Sequence, residues 1–199
     1  MTKKILPIAL ALLFIGCSSD DNSINTKTSD KNITSSTPSS KIVEKKEDKK
    51  KEALFTLETI TGKTLNIDEK EAGLNIHEFK DKVVFLLFFG HQCPPCMAEV
   101  PSLVALTKEG HKDLEIIALE VQGLDEDRLK NFAKNKNINY NLISGNKNQD
   151  FIGYVAQKAG WSGAIPFLLA MDKNGTVQVV HTGGLGKAQF DNIYKELKK

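Results

Sequence analysis

The sequence predicts an α/β fold in which a mixed β-sheet is flanked by helices. Apolar runs typical of buried strands alternate with amphipathic segments of helical period, and the chain closes with a β-hairpin and one helix. Apolar residues make up 40% of the chain and the mean hydropathy is -0.28. This composition can build a core, and it excludes both a multi-span membrane protein and a wholly disordered chain.

Two strands form the centre of the predicted sheet. Residues 83–89 are apolar without alternation, a run that is typical of a strand covered on both faces. Residues 114–121 give the second of these strands. Residues 54–60 and 65–67 flank the sequence TGKT, which predicts a short hairpin with a glycine turn at the start of the domain.

The end of the chain predicts a second hairpin. Residues 165–171 and 176–181 are joined by the sequence DKNG, and an Asn-Gly pair between two apolar runs is the strongest short-range hairpin signal. Apolar residues at helical spacing predict helices over residues 93–108, from an N-cap at Asp125, around residues 151–159, and along the C-terminal stripe of Phe190, Ile193, Tyr194 and Leu197.

The N-terminus has the features of an export signal. Lys3 and Lys4 precede an apolar run over residues 5–15, which has the length of a signal-peptide core and is too short to span a bilayer. The run ends in the sequence FIGC, which resembles the lipobox of bacterial lipoproteins and implies acylation of Cys17. Phe stands where the lipobox usually has Leu, so ordinary cleavage and an uncleaved anchor remain alternatives. We expect residues 1–16 to be a lipoprotein signal peptide.

Residues 17–52 are expected to be a lipid-anchored, disordered tether. They are rich in Ser, Thr, Asn, Asp and Lys and have too few apolar residues to offset the entropy of ordering. Ser18 replaces the Asp that retains some lipoproteins at the inner membrane, which favours the outer membrane. The net charge is +2 and the surplus of positive charge lies in residues 1–52, so the folded part at residues 53–199 offers no basic face for nucleic acid.

The candidate chemistry lies at the sequence CPPC. Cys93 and Cys96 follow a buried strand and open a helix, which places the two thiols within disulfide reach. The dipole and free N–H groups of a helix N-terminus lower the pKa of a cysteine, and the thiolate is the attacking species. Pro94 suits the first helical position. Cys96, one turn further in, is expected to be more buried and to act as the resolving thiol.

Two other interpretations of this cysteine pair remain open. Zinc sites use the same spacing but normally need four ligands, for which the candidates are His91, Cys93, Cys96 and His181. Copper also binds soft thiolates, so a copper- or zinc-carrying lipoprotein is an alternative, as is an inert structural disulfide. The favoured interpretation is a redox pair that needs no metal and no cofactor.

The sequence around the pair is specific. Residues 88–103, FFGHQCPPCMAEVPSL, resemble the active-site segment of the TlpA/ResA-like branch of thioredoxin-fold proteins. Pro101 matches the proline that kinks the active-site helix, and Ile165 with Pro166 falls at the family's cis-proline loop. The resemblance covers roughly residues 54–199. It implies a thioredoxin-like mixed sheet flanked by helices, with an added N-terminal β-hairpin.

The resemblance also implies roles for individual residues. Cys93 and Cys96 would be the redox pair. Pro166 would hold a cis peptide bond that exposes the Ile165 backbone beside Cys93, so that an extended substrate pairs with it as an added strand. Glu99 matches a Glu implicated in proton transfer around the thiols, with an ordinary surface helix residue as the alternative.

Several positions depart from the family pattern. Gln92 stands where the family commonly has Trp, which removes an aromatic ring from the rim of the substrate groove. Leu87 replaces the buried acidic residue of thioredoxins, so proton handling would fall to Glu99, water or the substrate. His91 is interpreted as an ordinary loop residue, with stabilisation of the Cys93 thiolate as the alternative. Trp161 lines either the cleft or the core.

These observations predict a membrane-tethered periplasmic thiol–disulfide oxidoreductase. The reducing direction is favoured because Ile165 before the cis-proline resembles reducing thioredoxins and neither His nor Arg lies between the cysteines. Its partners would be substrate proteins with disulfides or cysteine pairs, apocytochrome c among them, and a membrane thiol–disulfide electron carrier. A disulfide oxidase or isomerase that uses the same residues is the alternative.

Overall fold

The computed structural model describes residues 53–199, so the predicted signal peptide, Cys17 and tether lie outside the described residues. The elements in chain order are β1 Phe55–Glu58, β2 Thr64–Lys70, β3 Gly73–Ile76, β4 Val83–Phe89, α1 Pro94–Lys108, β5 Leu114–Glu120, α2 Glu126–Asn135, β6 Asn141–Ser144, α3 Gln149–Ala159, β7 Phe167–Met171, β8 Val177–Thr182 and α4 Lys187–Leu197. None of the helices within residues 53–199 has the length and apolar character needed to cross a bilayer.

Five strands form a mixed central sheet in the order β6-β5-β4-β7-β8. The β4, β5 and β6 strands run parallel, while β7 is antiparallel to both β4 and β8. This arrangement confirms the predicted fold class. The short strand β6 was not predicted, because its four residues follow a polar stretch and show no sustained alternation.

The N-terminal hairpin is present and is extended by a third strand. The β1, β2 and β3 strands form an antiparallel sheet of their own. The sequence analysis did not predict β3, because only Leu74 and Ile76 of this strand are buried and the preceding residues are charged. Beyond Ile67, β2 continues through polar residues that pair with β3 rather than enter the core.

Strand β4 lies between two layers of apolar side chains. Phe85 and Leu87 face the layer that contains Phe190 of α4, and Leu86 and Phe88 face the layer that contains Phe151 of α3. All seven residues of β4 are buried. The apolar sequence of β4 does not alternate with polar residues because both faces of the strand are buried, as the sequence predicted.

The two sheets meet where glycine backbones make close contact. The Leu74 N–H donates to the Gly175 carbonyl at 2.9 Å, and the Val177 N–H donates to the Ala72 carbonyl at 2.8 Å. A Cβ atom on Gly73 would lie 2.0 Å from the Gly175 oxygen. Gly175 itself has a φ of 75° in the predicted Asn-Gly turn, which the structure confirms.

We expect Gly73→Ala to lower the free energy of unfolding by roughly 2 kcal/mol or more, because the new methyl group overlaps a backbone oxygen that cannot move freely. Gly153→Ala is the matched control, since a Cβ there has no atom within 4 Å and glycine inside α3 should cost about 0.5–1 kcal/mol relative to alanine. Urea unfolding measures both. Equal effects of the two substitutions would contradict this account of the junction.

Candidate active site

Helix α1 presents the two cysteines at its N-terminus. Cys93 is the N-cap residue, and it is joined to Cys96 by a disulfide with a Cα–Cα distance of 5.2 Å. Because Pro94 and Pro95 lack an amide hydrogen, the Cys96 N–H is the first donor of the helix. It donates to Cys93 Sγ at 3.3 Å. This N–H is in position to donate to a thiolate on Cys93 when the disulfide is reduced, and such a bond stabilises a thiolate.

The two sulfurs differ in access. Cys93 is 7% exposed and Cys96 is 2% exposed. The order matches the expectation that Cys96 is the more buried thiol. Cys93 is therefore the more accessible of the two sulfurs.

The loop before β7 lies against the reactive sulfur. The Ile165–Pro166 peptide bond is cis, as the resemblance implies. The Ile165 carbonyl oxygen lies 3.8 Å from Cys93 Sγ, and the Pro166 carbonyl accepts a hydrogen bond from the Gly183 N–H at 2.9 Å. The backbone of this loop is thus held beside Cys93 from both sides.

Glu99 is a buried carboxylic acid one turn along α1 from Cys96. It is 4% exposed, and its Oε1 accepts a hydrogen bond from the Leu185 N–H at 2.6 Å. Burial raises the pKa of Glu99 to about 7, and the Leu185 hydrogen bond only partly opposes this effect. The alternative of a surface helix residue is therefore wrong. A group with this pKa exchanges protons readily near neutral pH.

The structure contains a second buried carboxylate that the sequence analysis missed. Glu120, the last residue of β5, is fully buried, and its Oε1 lies 2.8 Å from Nδ1 of His91. His91 is thus paired within the fold rather than being an unattached loop residue. The only signal in the sequence was an acidic residue directly after the apolar run of residues 116–119 in β5. Leu87 is a core residue, as its apolar character suggests.

The structure does not assemble the four candidate metal ligands. Within residues 53–199, no group of three or more His, Cys, Asp or Glu side chains is arranged to hold a metal ion. His181 lies on β8, opposite Leu168 of β7. His91 is paired with Glu120, while Cys93 and Cys96 are bonded to each other.

Trp161 packs in the loop that leads to Pro166. Its indole N–H donates to the Ala164 carbonyl at 2.6 Å, and its ring lies 4.8 Å from Phe88 and 5.5 Å from Phe167 between centroids. Trp161 therefore contacts the core and also braces the loop beside the disulfide. Of the two interpretations made from the sequence, these ring contacts support packing against the core.

Comparison with known proteins identifies the family. The model of the AhpC/TSA family matches residues 52–180. The chain belongs to this family. Thiol-disulfide oxidoreductase ResA of Bacillus thuringiensis strain Al Hakam is 30% identical over 125 residues, which cover 62% of this chain and 68% of that protein. ResA of Geobacillus kaustophilus is 27% identical over 127 residues, which cover 62% and 67%.

A solved structure supports the same assignment. The thiol:disulfide interchange protein of the thioredoxin family from Chlorobium tepidum TLS superposes with a TM-score of 0.59 at 26% identity, and the match covers 73% of this chain and 93% of that protein. The thioredoxin-like fold and the ResA-like resemblance inferred from residues 88–103 are confirmed. The chain is a thiol–disulfide oxidoreductase with Cys93 and Cys96 as its cysteine pair.

We expect Glu99→Gln to flatten the dependence of stability on pH. The pKa of Glu99 is about 7 in the folded chain against an ordinary value of 4.5, so between these values the unfolded chain releases a proton that the folded chain retains. The contribution of Glu99 to stability is then largest below pH 4.5 and falls by about 3 kcal/mol as pH rises to 7. Gln has no such titration and still accepts the Leu185 N–H.

Urea unfolding of the oxidised protein at pH 5 and pH 8 measures this difference. Glu196→Gln, at an exposed position of α4, is the control for removal of one negative charge. If wild type and Glu99→Gln lose the same stability between the two pH values, the burial of Glu99 does not govern its proton.

Proposed function

We propose that the protein is a membrane-tethered disulfide reductase on the periplasmic side of the cell envelope. The observation that carries the proposal is the Cys93–Cys96 disulfide at the N-terminus of α1, with the Cys96 N–H on one sulfur and the Ile165 backbone beside it. In this proposal Cys93 supplies the attacking sulfur, Cys96 the resolving sulfur, and the Ile165 backbone the edge along which the substrate binds.

In the first step the Cys93 thiolate attacks one sulfur of a substrate disulfide. A mixed disulfide forms and the other substrate sulfur leaves as a thiolate. The Cys96 thiolate then attacks Cys93 Sγ, which breaks the mixed disulfide and releases the second substrate sulfur. The substrate gains two electrons and two protons, and the protein is left with the Cys93–Cys96 disulfide.

The second step requires that Cys96 lose its proton inside the fold. Glu99 lies one turn further along α1, is buried, and has a pKa of about 7. In its ionised form it can accept that proton, and in its protonated form it can return one when the disulfide is reduced again. We assign Glu99 this role in proton transfer.

The substrate is proposed to bind in extended form along the Ile165–Pro166 loop. Ile165 is only partly buried, and its carbonyl lies beside Cys93 Sγ. Main-chain hydrogen bonds of an added strand depend little on side chains, so proteins of different sequence can use the same edge. Exported proteins with disulfides or paired cysteines fit this mode, and apocytochrome c is the client that the family resemblance suggests.

The reducing direction is supported by the residues around the thiolate. Two prolines separate Cys93 and Cys96, so no positively charged side chain lies between them to stabilise a thiolate strongly. A weakly stabilised thiolate favours a reducing couple. The proposal therefore includes a membrane thiol–disulfide carrier that supplies electrons to the oxidised protein.

We expect the reduction potential of the Cys93–Cys96 couple to lie near or below about -230 mV, in the range of reducing thioredoxin-fold proteins. Equilibration of the protein in dithiothreitol or glutathione buffers, with the two redox forms separated after alkylation, measures it. A Cys93→Ser variant shows the signal of a protein without the couple. A potential near about -120 mV would reverse the proposed direction and make the protein a disulfide donor.

The proposed organisation places a signal peptide at residues 1–16 and a lipid-anchored tether at residues 17–52 before the folded domain at residues 53–199. Acylation at Cys17 supplies several chains, each buried methylene contributing about 0.8 kcal/mol to membrane binding. The tether would let the folded domain work near the membrane surface, with the outer membrane favoured over the inner by Ser18.

We expect wild-type protein to fractionate with membranes and to incorporate a radiolabelled fatty acid, and Cys17→Ser to lose both properties because it has no thiol to acylate. Cys93→Ser is the control, since it also removes one thiol but leaves the lipobox-like sequence intact. Labelling of Cys17→Ser at the wild-type level would rule out Cys17 as the lipid attachment site.

A further inference from the structure

A tight turn connects β4 to the reactive cysteine. The Cys93 N–H donates to the Gly90 carbonyl at 3.2 Å, which places His91 and Gln92 at the two central positions of the turn. The geometry of this turn decides where Cys93 sits at the start of α1. The groups that accept hydrogen bonds from the His91 and Gln92 N–H therefore help to fix the position of Cys93 Sγ.

Glu120 meets this turn from the neighbouring strand. It is paired in register with Phe89, the last residue of β4, so its carboxylate lies beside the point where the turn begins. Its Oε1 accepts hydrogen bonds from the His91 N–H at 3.4 Å, from His91 Nδ1 at 2.8 Å and from the Gln122 N–H at 3.0 Å. Its Oε2 accepts the Leu124 N–H at 2.8 Å.

All of these contacts place a nitrogen of the partner against a Glu120 oxygen. They suit an ionised carboxylate, because its two oxygens only accept hydrogen bonds. The single buried side chain thus joins the active-site turn to the loop between β5 and α2. Where Glu120 is ionised, the contact with His91 is a hydrogen bond only if Nδ1 carries the hydrogen, so Glu120 favours that protonation site of the imidazole.

Gln122 makes a second link between the turn at residues 90–93 and the loop after β5. Its Oε1 accepts the Gln92 N–H at 2.8 Å, and its side chain lies over Gly90, where a Cβ atom would come within 2.2 Å of it. The absence of a side chain at Gly90 is what admits Gln122. The N–H groups of His91, Gln92 and Cys93 are therefore all bonded within the fold, the first two to the side chains of Glu120 at the end of β5 and Gln122 in the loop after it.

We propose that Glu120 and Gln122 are positioning residues for Cys93, which act on the reactive sulfur by fixing the turn at residues 90–93. The proposal rests on thiol–disulfide exchange at Cys93 but not on the direction of the reaction. Neither residue touches the sulfurs through any contact of the described structure. They act on the length and direction of the hydrogen bond from the Cys96 N–H to the Cys93 thiolate.

The test is the rate at which iodoacetamide alkylates Cys93 in the reduced full chain, followed by mass spectrometry of the peptide that carries Cys93. Gln122→Met removes the acceptor at similar size, and Gln122→Glu retains an acceptor. We expect Gln122→Met to slow alkylation three- to tenfold and Gln122→Glu to stay within twofold of wild type, because one hydrogen bond is lost only in the first. Equal rates for Gln122→Met and wild type would overturn the proposal, as would equal slowing in both variants.

Glu120→Gln gives an independent readout through His91. The NH₂ group of the new amide is a donor and would face N–H groups that now donate to Glu120. We therefore expect the ¹⁵N NMR signature of Nδ1-protonated His91 to be lost and the alkylation of Cys93 to slow by tenfold or more. If Glu120→Gln folds and keeps both the wild-type alkylation rate and the wild-type NMR signature of His91, Glu120 does not position Cys93. If Glu120→Gln does not fold, the comparison of Gln122→Met with Gln122→Glu decides the proposal. Wild-type protein whose Cys93 reacts no faster than Cys96 would instead refute the proposed function.

Discussion

The burial of β4 on both faces is the constraint on which the rest of the domain depends. Because every side chain of this strand enters one of two apolar layers, the strand can neither slide nor rotate without exposing phenylalanine or leucine. Its end at Phe89 is thereby fixed in space. The turn, the start of α1 and the two sulfurs follow within a few residues, so the core determines where the chemistry takes place.

The sequence was sufficient for elements whose signal is local. The unbroken apolar run of β4, the Asn-Gly turn and the position of CPPC between a buried strand and a helix are local signals, and the structure agrees with the element that each predicted. Strands β3 and β6 escaped prediction because each has only four residues and owes its position to pairing with a longer neighbour. Such pairing is a tertiary effect that no window of the sequence contains.

The two buried carboxylates show the same limit at the site. Glu99 could be singled out because it matches a family position, but its burial depends on the Leu185 loop, which lies far away in the sequence. Glu120 had no motif to mark it. Its significance arises from the register that sets it beside Phe89, and from donors on two loops that converge on one side chain.

The two prolines between the cysteines also remove N–H groups with which the N-terminus of α1 could bind an oxyanion. A helix N-terminus ordinarily offers several free N–H groups and so attracts phosphate, sulfate or carboxylate. Here Pro94 and Pro95 offer none, the Met97 N–H is bonded to the Cys93 carbonyl, and the Cys96 N–H points to sulfur. No N–H group of this first turn is therefore left to hold an oxyanion, and its one remaining donor is directed at a sulfur atom instead.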